Sequence, residues 1–116
     1  MTPKDFRRLA LGMDGAAEAS HMNHPDFRVN GKIFATIHED HVRGMVKLTP
    51  EQQQHFVQEA PDTFTPEKGA WGRRGYTAVR LDAAENDALG EAMTLAWQNV
   101  SRKRRATRSK ARPRTG

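Results

Sequence analysis

The residues best placed to do chemistry in this chain are cations gathered around a tryptophan. In Lys68-Gly69-Ala70-Trp71-Gly72-Arg73-Arg74-Gly75-Tyr76, glycines flank an indole and two guanidiniums follow it. Such a segment can lay cations on a phosphate backbone and an indole on a base. It can equally fold Trp71 back over the core as a plug, because a large ring left wholly exposed is uncommon. Metal chemistry has less to work with. The five histidines come without a cysteine or a helical His-x-x-x-His pair. His21 and His24, three apart, lie on opposite faces of a strand unless Met22-Asn23 turns. His38, Asp40 and His41 around a tight turn would hold a metal only weakly. Ser20 beside His21, and the Glu39–Asp40 carboxylates, are the nearest approach to a catalytic pair, and neither has an identifiable third group to orient it. No catalytic residue, metal or cofactor is therefore expected.

Charge divides the chain in two. Lys and Arg number 19 against 14 Asp and Glu, a formal +5. Eight of those cations, and no acid, fall in residues 101–116, so the first hundred residues hold eleven cations and fourteen acids, a formal −3. The basic balance belongs to a terminal arm and says little about the folded part. The arm's composition cannot bury enough apolar area to offset its ordering entropy. A domain over residues 1–101 and an unordered basic tail over 102–116 are expected. No apolar run approaches the roughly 20 residues that span a bilayer, and the N-terminus lacks an apolar signal core, so a cytoplasmic location is expected.

The elements that must position these residues follow from periodicity. Thr2-Pro3 opens a helix with Phe6, Leu9, Ala10 and Met13 in one stripe. Period two then takes over. Residues 18–22 predict a strand, and Phe27-Arg28-Val29 leads into Asn30-Gly31, the strongest short hairpin signal. Residues 32–38 and 42–48 alternate. Thr49-Pro50 restarts a helix to about Ala60, residues 61–75 look like a loop, and residues 76–81 form a strand. Asp82 with Glu85 then suggests a capping box for a long helix with Leu89, Ala92, Met93, Ala96, Trp97 and Val100 inward. This order predicts an α+β two-layer sandwich, an antiparallel sheet with helices on one face and the other face open. Strict alternation sends Ile33, Ala35, Ile37, Val42, Val46, Leu48, Val79 and Leu81 to the helices. Lys32, Arg43, Lys47 and Arg80 then point outward, joined by Arg28, and Phe34, Met45 and Tyr76 share their face. The acids gather on helices and turns, so a net-acidic body still presents a basic sheet face interleaved with aromatics.

The segments HPDFRVNGKIFA (24–35), MVKLTPEQQ (45–53) and KGAWGRRGYTAVRL (68–81), followed by a helix ending in Ala96-Trp97-Gln98-Asn99-Val100, resemble the MmcQ/YjbR family over residues 3–101. The resemblance implies the type III secretion-chaperone-like fold, and family members carry a DNA-binding label based on a proposed double-wing motif. The expectation is a small non-enzymatic DNA-binding protein. Its phosphate and base contacts would come from Arg28, Lys32, Lys47, Trp71, Arg73, Arg74 and Arg80, aided by Arg102, Lys103, Arg104 and Arg105 of the tail. Two other readings stand beside it. One is a protein-binding adaptor that docks a partner or a second copy on Phe34, Met45 and Tyr76. The other is a small-molecule binder using a groove near His24, Lys32 and Trp71.

Overall fold

A computed structural model describes residues 1–21 and 24–111, with side chains for residues 1–20 and 24–101. The chain runs α1 (Pro3–Leu11), β1 (Ala17–His21), β2 (His24–Val29), β3 (Lys32–Ile37), β4 (Arg43–Lys47), α2 (Pro50–Glu59), β5 (Phe64–Pro66), α3 (Gly69–Arg73), β6 (Tyr76–Arg80) and α4 (Asn86–Ala111). The six strands form one open sheet in the order β1-β2-β3-β4-β6-β5, with every pair antiparallel. The fold is α+β, as the period switch predicts.

Local chemistry explains most element ends. Thr2 accepts from the Asp5 N–H while the Asp5 carboxylate accepts from the Thr2 N–H, and Thr49 and Gln52 repeat this reciprocal cap on α2, satisfying helix donors that have no partner inside the helix. The β2–β3 hairpin turns at Asn30 and Gly31, both with positive φ, as its sequence requires. One core joins Phe6 and Ala10 of α1, Phe56 of α2, and Leu89, Met93 and Ala96 of α4 to the inner face of the sheet.

Four expectations change. First, β2 pairs Phe27 with Ala35 but Arg28 with Ile33, so Phe34 is an extra residue, a β-bulge. The bulge reverses the alternation. Phe34 is fully buried in the core and Ile33 turns to the open face. Lys32, opposite Val29, falls in the helix-facing phase at the exposed tip of the hairpin and leaves the basic face. Second, Val42 is not inward; it precedes β4 and is 49% exposed. Third, the loop expected over residues 61–75 contains β5 and α3. Phe64 anchors β5 in the core, and Pro66 is tolerated because β5 is an edge strand. Fourth, residues 81–83 form a 3-10 turn, Asp82 pairs with Arg80, and α4 begins at Asn86, so the Asp82–Glu85 box does not form.

The α4 backbone continues to Ala111, farther than the turn or so past Val100 that the sequence suggests. Its last residues are mostly Arg, Lys and Ala, good helix formers with no breaker before Pro113. The tail side chains named above, Arg102, Lys103, Arg104 and Arg105, lie outside those described, as do residues 112–116 entirely. No helix among the described residues is long and apolar enough to cross a membrane.

Candidate functional site: a groove on the open sheet face

The register aligns Asp26, Thr36, Met45, Ala78 and Thr65 in one row across β2, β3, β4, β6 and β5. With Ile33, the middle of this row floors a groove of about 800 Å³. One side is closed by the turn from β5 into α3, which brings Glu67, Lys68 and Trp71 over the sheet beside Tyr76; the far end is closed by His24, His38 and Arg43. The polar Thr36 and Thr65 interrupt an otherwise apolar floor, and the charged and imidazole side chains stand on its walls.

The electrostatics differ from a uniformly basic face. Three of its arginines are neutralised in place. Arg28 forms a two-pronged pair with the fully buried Asp26 at 2.7 and 3.1 Å, which raises the guanidinium's pKa, chiefly through that hydrogen bond. Arg80 grips Asp82 the same way at 3.1 and 3.0 Å, and Arg43 meets Asp40 at 3.0 Å. Asp40 also accepts the Val42 and Arg43 N–H groups, and these bonds hold its carboxyl below the usual range, the Val42 N–H most of all. Lys47, Lys68, Arg73 and Arg74 have no carboxylate within ion-pair reach among the described residues. Lys47 and Arg74 lie against the aromatic pair instead, Lys68 lines the groove beside it, and Arg73 is exposed in α3. Trp71 and Tyr76 meet edge to face at 5.0 Å, Lys47 Nζ lies 5.6 Å from the Tyr76 ring centre, and the Arg74 guanidinium lies 5.6 Å from that of Trp71. Trp71 is 56% exposed. Of the two sequence readings, the plug is excluded, because the indole stands at the lip of the groove.

Gln53 of α2 holds this lip in place. Its amide donates to the carbonyl oxygens of Gly72 and Tyr76 and to Thr77 Oγ1, at 3.0, 3.0 and 3.2 Å. These acceptors lie on both sides of Arg73-Arg74, so α2 fixes both the end of α3 and the start of β6.

The YjbR family model matches residues 11–99. The chain belongs to the YjbR family. Its fold is also that of a crystal structure of the Deinococcus radiodurans protein DR2400, a DUF419 domain. The TM-score is 0.74 at 22% identity, covering 88% of this chain and 80% of that one. No curated protein matches.

In this YjbR domain the sequence candidates separate. Lys47, Trp71 and Arg74 come together around the aromatic pair at the groove lip, and Arg73 is exposed in α3 two residues past Trp71. Arg28 and Arg80 lie on the open face with their charge already engaged, and Lys32 lies elsewhere. His21 and His24 are paired across β1 and β2 and do not share a strand. Among the described residues no three His, Asp or Glu side chains converge as a metal site. Sequence reasoning missed Gln53 and Glu67. Gln53 lies inside the MVKLTPEQQ motif, which offered a signal; Glu67 had none.

Glu67 reaches from the end of β5 to His38 Nε2 at 2.8 Å, although β6 and β4 separate their strands in the sheet. The hydrogen bond to Glu67 raises the His38 pKa above its ordinary 6.5, against an opposing effect of partial burial and of Arg43. A raised folded-state pKa means the contribution is complete below pH 6.5 and is lost as pH rises past the folded value. A proton NMR titration should place the His38 midpoint above 6.5, and Glu67→Gln should bring it down again.

Proposed function

We propose that this is a cytoplasmic, non-enzymatic DNA-binding protein that contacts phosphates through the cations around Trp71. The observation that carries this reading is the contrast in pairing. The sheet arginines are held by their own aspartates, whereas Lys47, Lys68, Arg73 and Arg74 flank an exposed indole without acidic partners among the described residues. Phosphate contact needs cations that do not first have to break an ion pair. The basic tail adds sequence-independent attraction in the same reading. The partner-docking alternative loses ground, since Phe34 belongs to the core and Met45 is 7% exposed.

Binding of a labelled DNA followed against salt tests the proposal. Replacing Lys47, Arg73 and Arg74 together by Gln should flatten the log–log salt slope by about 2–3, at roughly 0.9 per phosphate contact. Replacing Arg102, Lys103, Arg104 and Arg105 by Ser should flatten it by about 3–4 on the same basis. Absence of binding by the intact chain at low salt overturns the proposal. An effect of the tail changes alone removes the Trp71 cluster from it.

The groove volume favours one second reading, a small organic ligand, since about 300–1,000 Å³ is usual for such sites. His24 and Trp71 line the groove, and Lys32 does not.

A further inference from the structure

Resting on the DNA reading above, we infer that the groove beside Trp71 seats an unpaired base, so that the DNA form recognised is single-stranded. The indole is the first reason. A duplex offers a protein its phosphates and the edges of its bases, while the ring faces stay hidden in the stack. An exposed aromatic face at the mouth of an apolar groove gains from DNA only where a base is free to lie against it. Trp71 is 56% exposed, with the Arg74 guanidinium over one side of its ring, and its edge-to-face contact with Tyr76 holds it in place.

The floor is the second reason. Ile33, Met45 and Ala78 present an apolar surface to whatever lies beneath the indole, and the Thr36 and Thr65 hydroxyls flank it. That is an apolar bed with hydrogen-bonding groups at its margins, the usual composition of a site that orients a flat heterocycle.

Charge complementarity is the third. Lys47 and Arg74 lie over the two aromatic rings, each 5.6 Å from a ring centre. Phosphates flanking a base placed against Trp71 would fall among cations that no described carboxylate holds. The arginines farther along the face, Arg28 and Arg80, are bound to Asp26 and Asp82 and do not extend this positive surface.

The test uses the full chain with two probes at one salt concentration, a ten-nucleotide oligothymidylate and a ten-base-pair duplex, read by anisotropy and by tryptophan quenching. The strand should bind about tenfold or more tightly than the duplex, by the size of base–aromatic stacking. Trp71→Ala should abolish most of that preference, lowering strand affinity about tenfold and duplex affinity much less, while Trp71→Phe should restore most of it. Unchanged thermal unfolding of both variants shows that the effect is not a loss of fold. Equal binding of strand and duplex, or equal loss on both with Trp71→Ala, overturns the inference and leaves DNA binding standing. Failure to bind either probe at low salt overturns both.

Discussion

Phe34→Ala is expected to lower folding stability by about 3–5 kcal/mol, the usual cost of emptying a fully buried phenylalanine site. Ile33→Thr, one residue earlier, is expected to cost about 1 kcal/mol, because its side chain lies on the half-open groove floor and the substitution keeps β-branching. Strict alternation predicts the reverse order, so urea unfolding of the two variants reads out the β-bulge directly. The physical reason for the bulge lies in the pairing. With Phe27 opposite Ala35 and Arg28 opposite Ile33, the chain accommodates one extra residue, and both Phe34 and Ala35 turn inward. Phe34→Glu should leave no stable folded state, since an unpaired buried carboxylate costs several kcal/mol out of a total near 5–15 kcal/mol. A Phe34→Glu variant that folds with near-native stability would refute this placement of the side chain.

Gly75→Ala is the second large effect, expected at about 3 kcal/mol or more. Gly75 has φ +106, outside the region that an L side chain adopts readily, which alone costs on the order of 1–3 kcal/mol. An added Cβ would also overlap the Leu48 carbonyl group, which is backbone and cannot rotate away; overpacking of this kind adds roughly 1–3 kcal/mol. The consequence reaches beyond stability. Gly75 N–H donates to the Gly72 carbonyl and Leu48 N–H donates to the Gly75 carbonyl, so this residue ties α3 to the end of β4. Any relief of the overlap moves α3, and with it Trp71. Reduced stability in denaturant together with a changed Trp71 emission is the expected pair of results; a fall below about 1 kcal/mol with unchanged emission contradicts the argument.

Much of this protein was legible in its sequence because the signals were local. A cap involves residues three apart, a hairpin turn involves two, and helix and strand periods repeat within one or two turns. Hence Thr2 with Asp5, Thr49 with Gln52, Asn30-Gly31 and the apolar stripe of α4 were readable, and their order was enough for an α+β sandwich. The local signal failed where a competing long-range demand was stronger. Asp82 preferred the Arg80 guanidinium to a capping box. Residues 61–75, rich in Pro and Gly, formed β5 and α3 because Phe64 found a place in the core and Gln53 a set of acceptors at the end of α3.

By itself the sequence determined the kinds and numbers of groups available. These are cations around Trp71, a net-acidic body with a basic arm, and elements amounting to one sheet with a single helical layer over its core. Tertiary structure alone decided which of those groups are free to act. The bulge exchanged Ile33 for Phe34 on the open face, Asp26 and Asp82 took up Arg28 and Arg80, and Glu67 crossed the face to His38. Trp71 was left exposed beside cations with no described acidic partner. Charge pairing and exposure depend on distances between residues far apart in the chain, here 29 positions for His38 and Glu67, and periodicity carries no information about such distances.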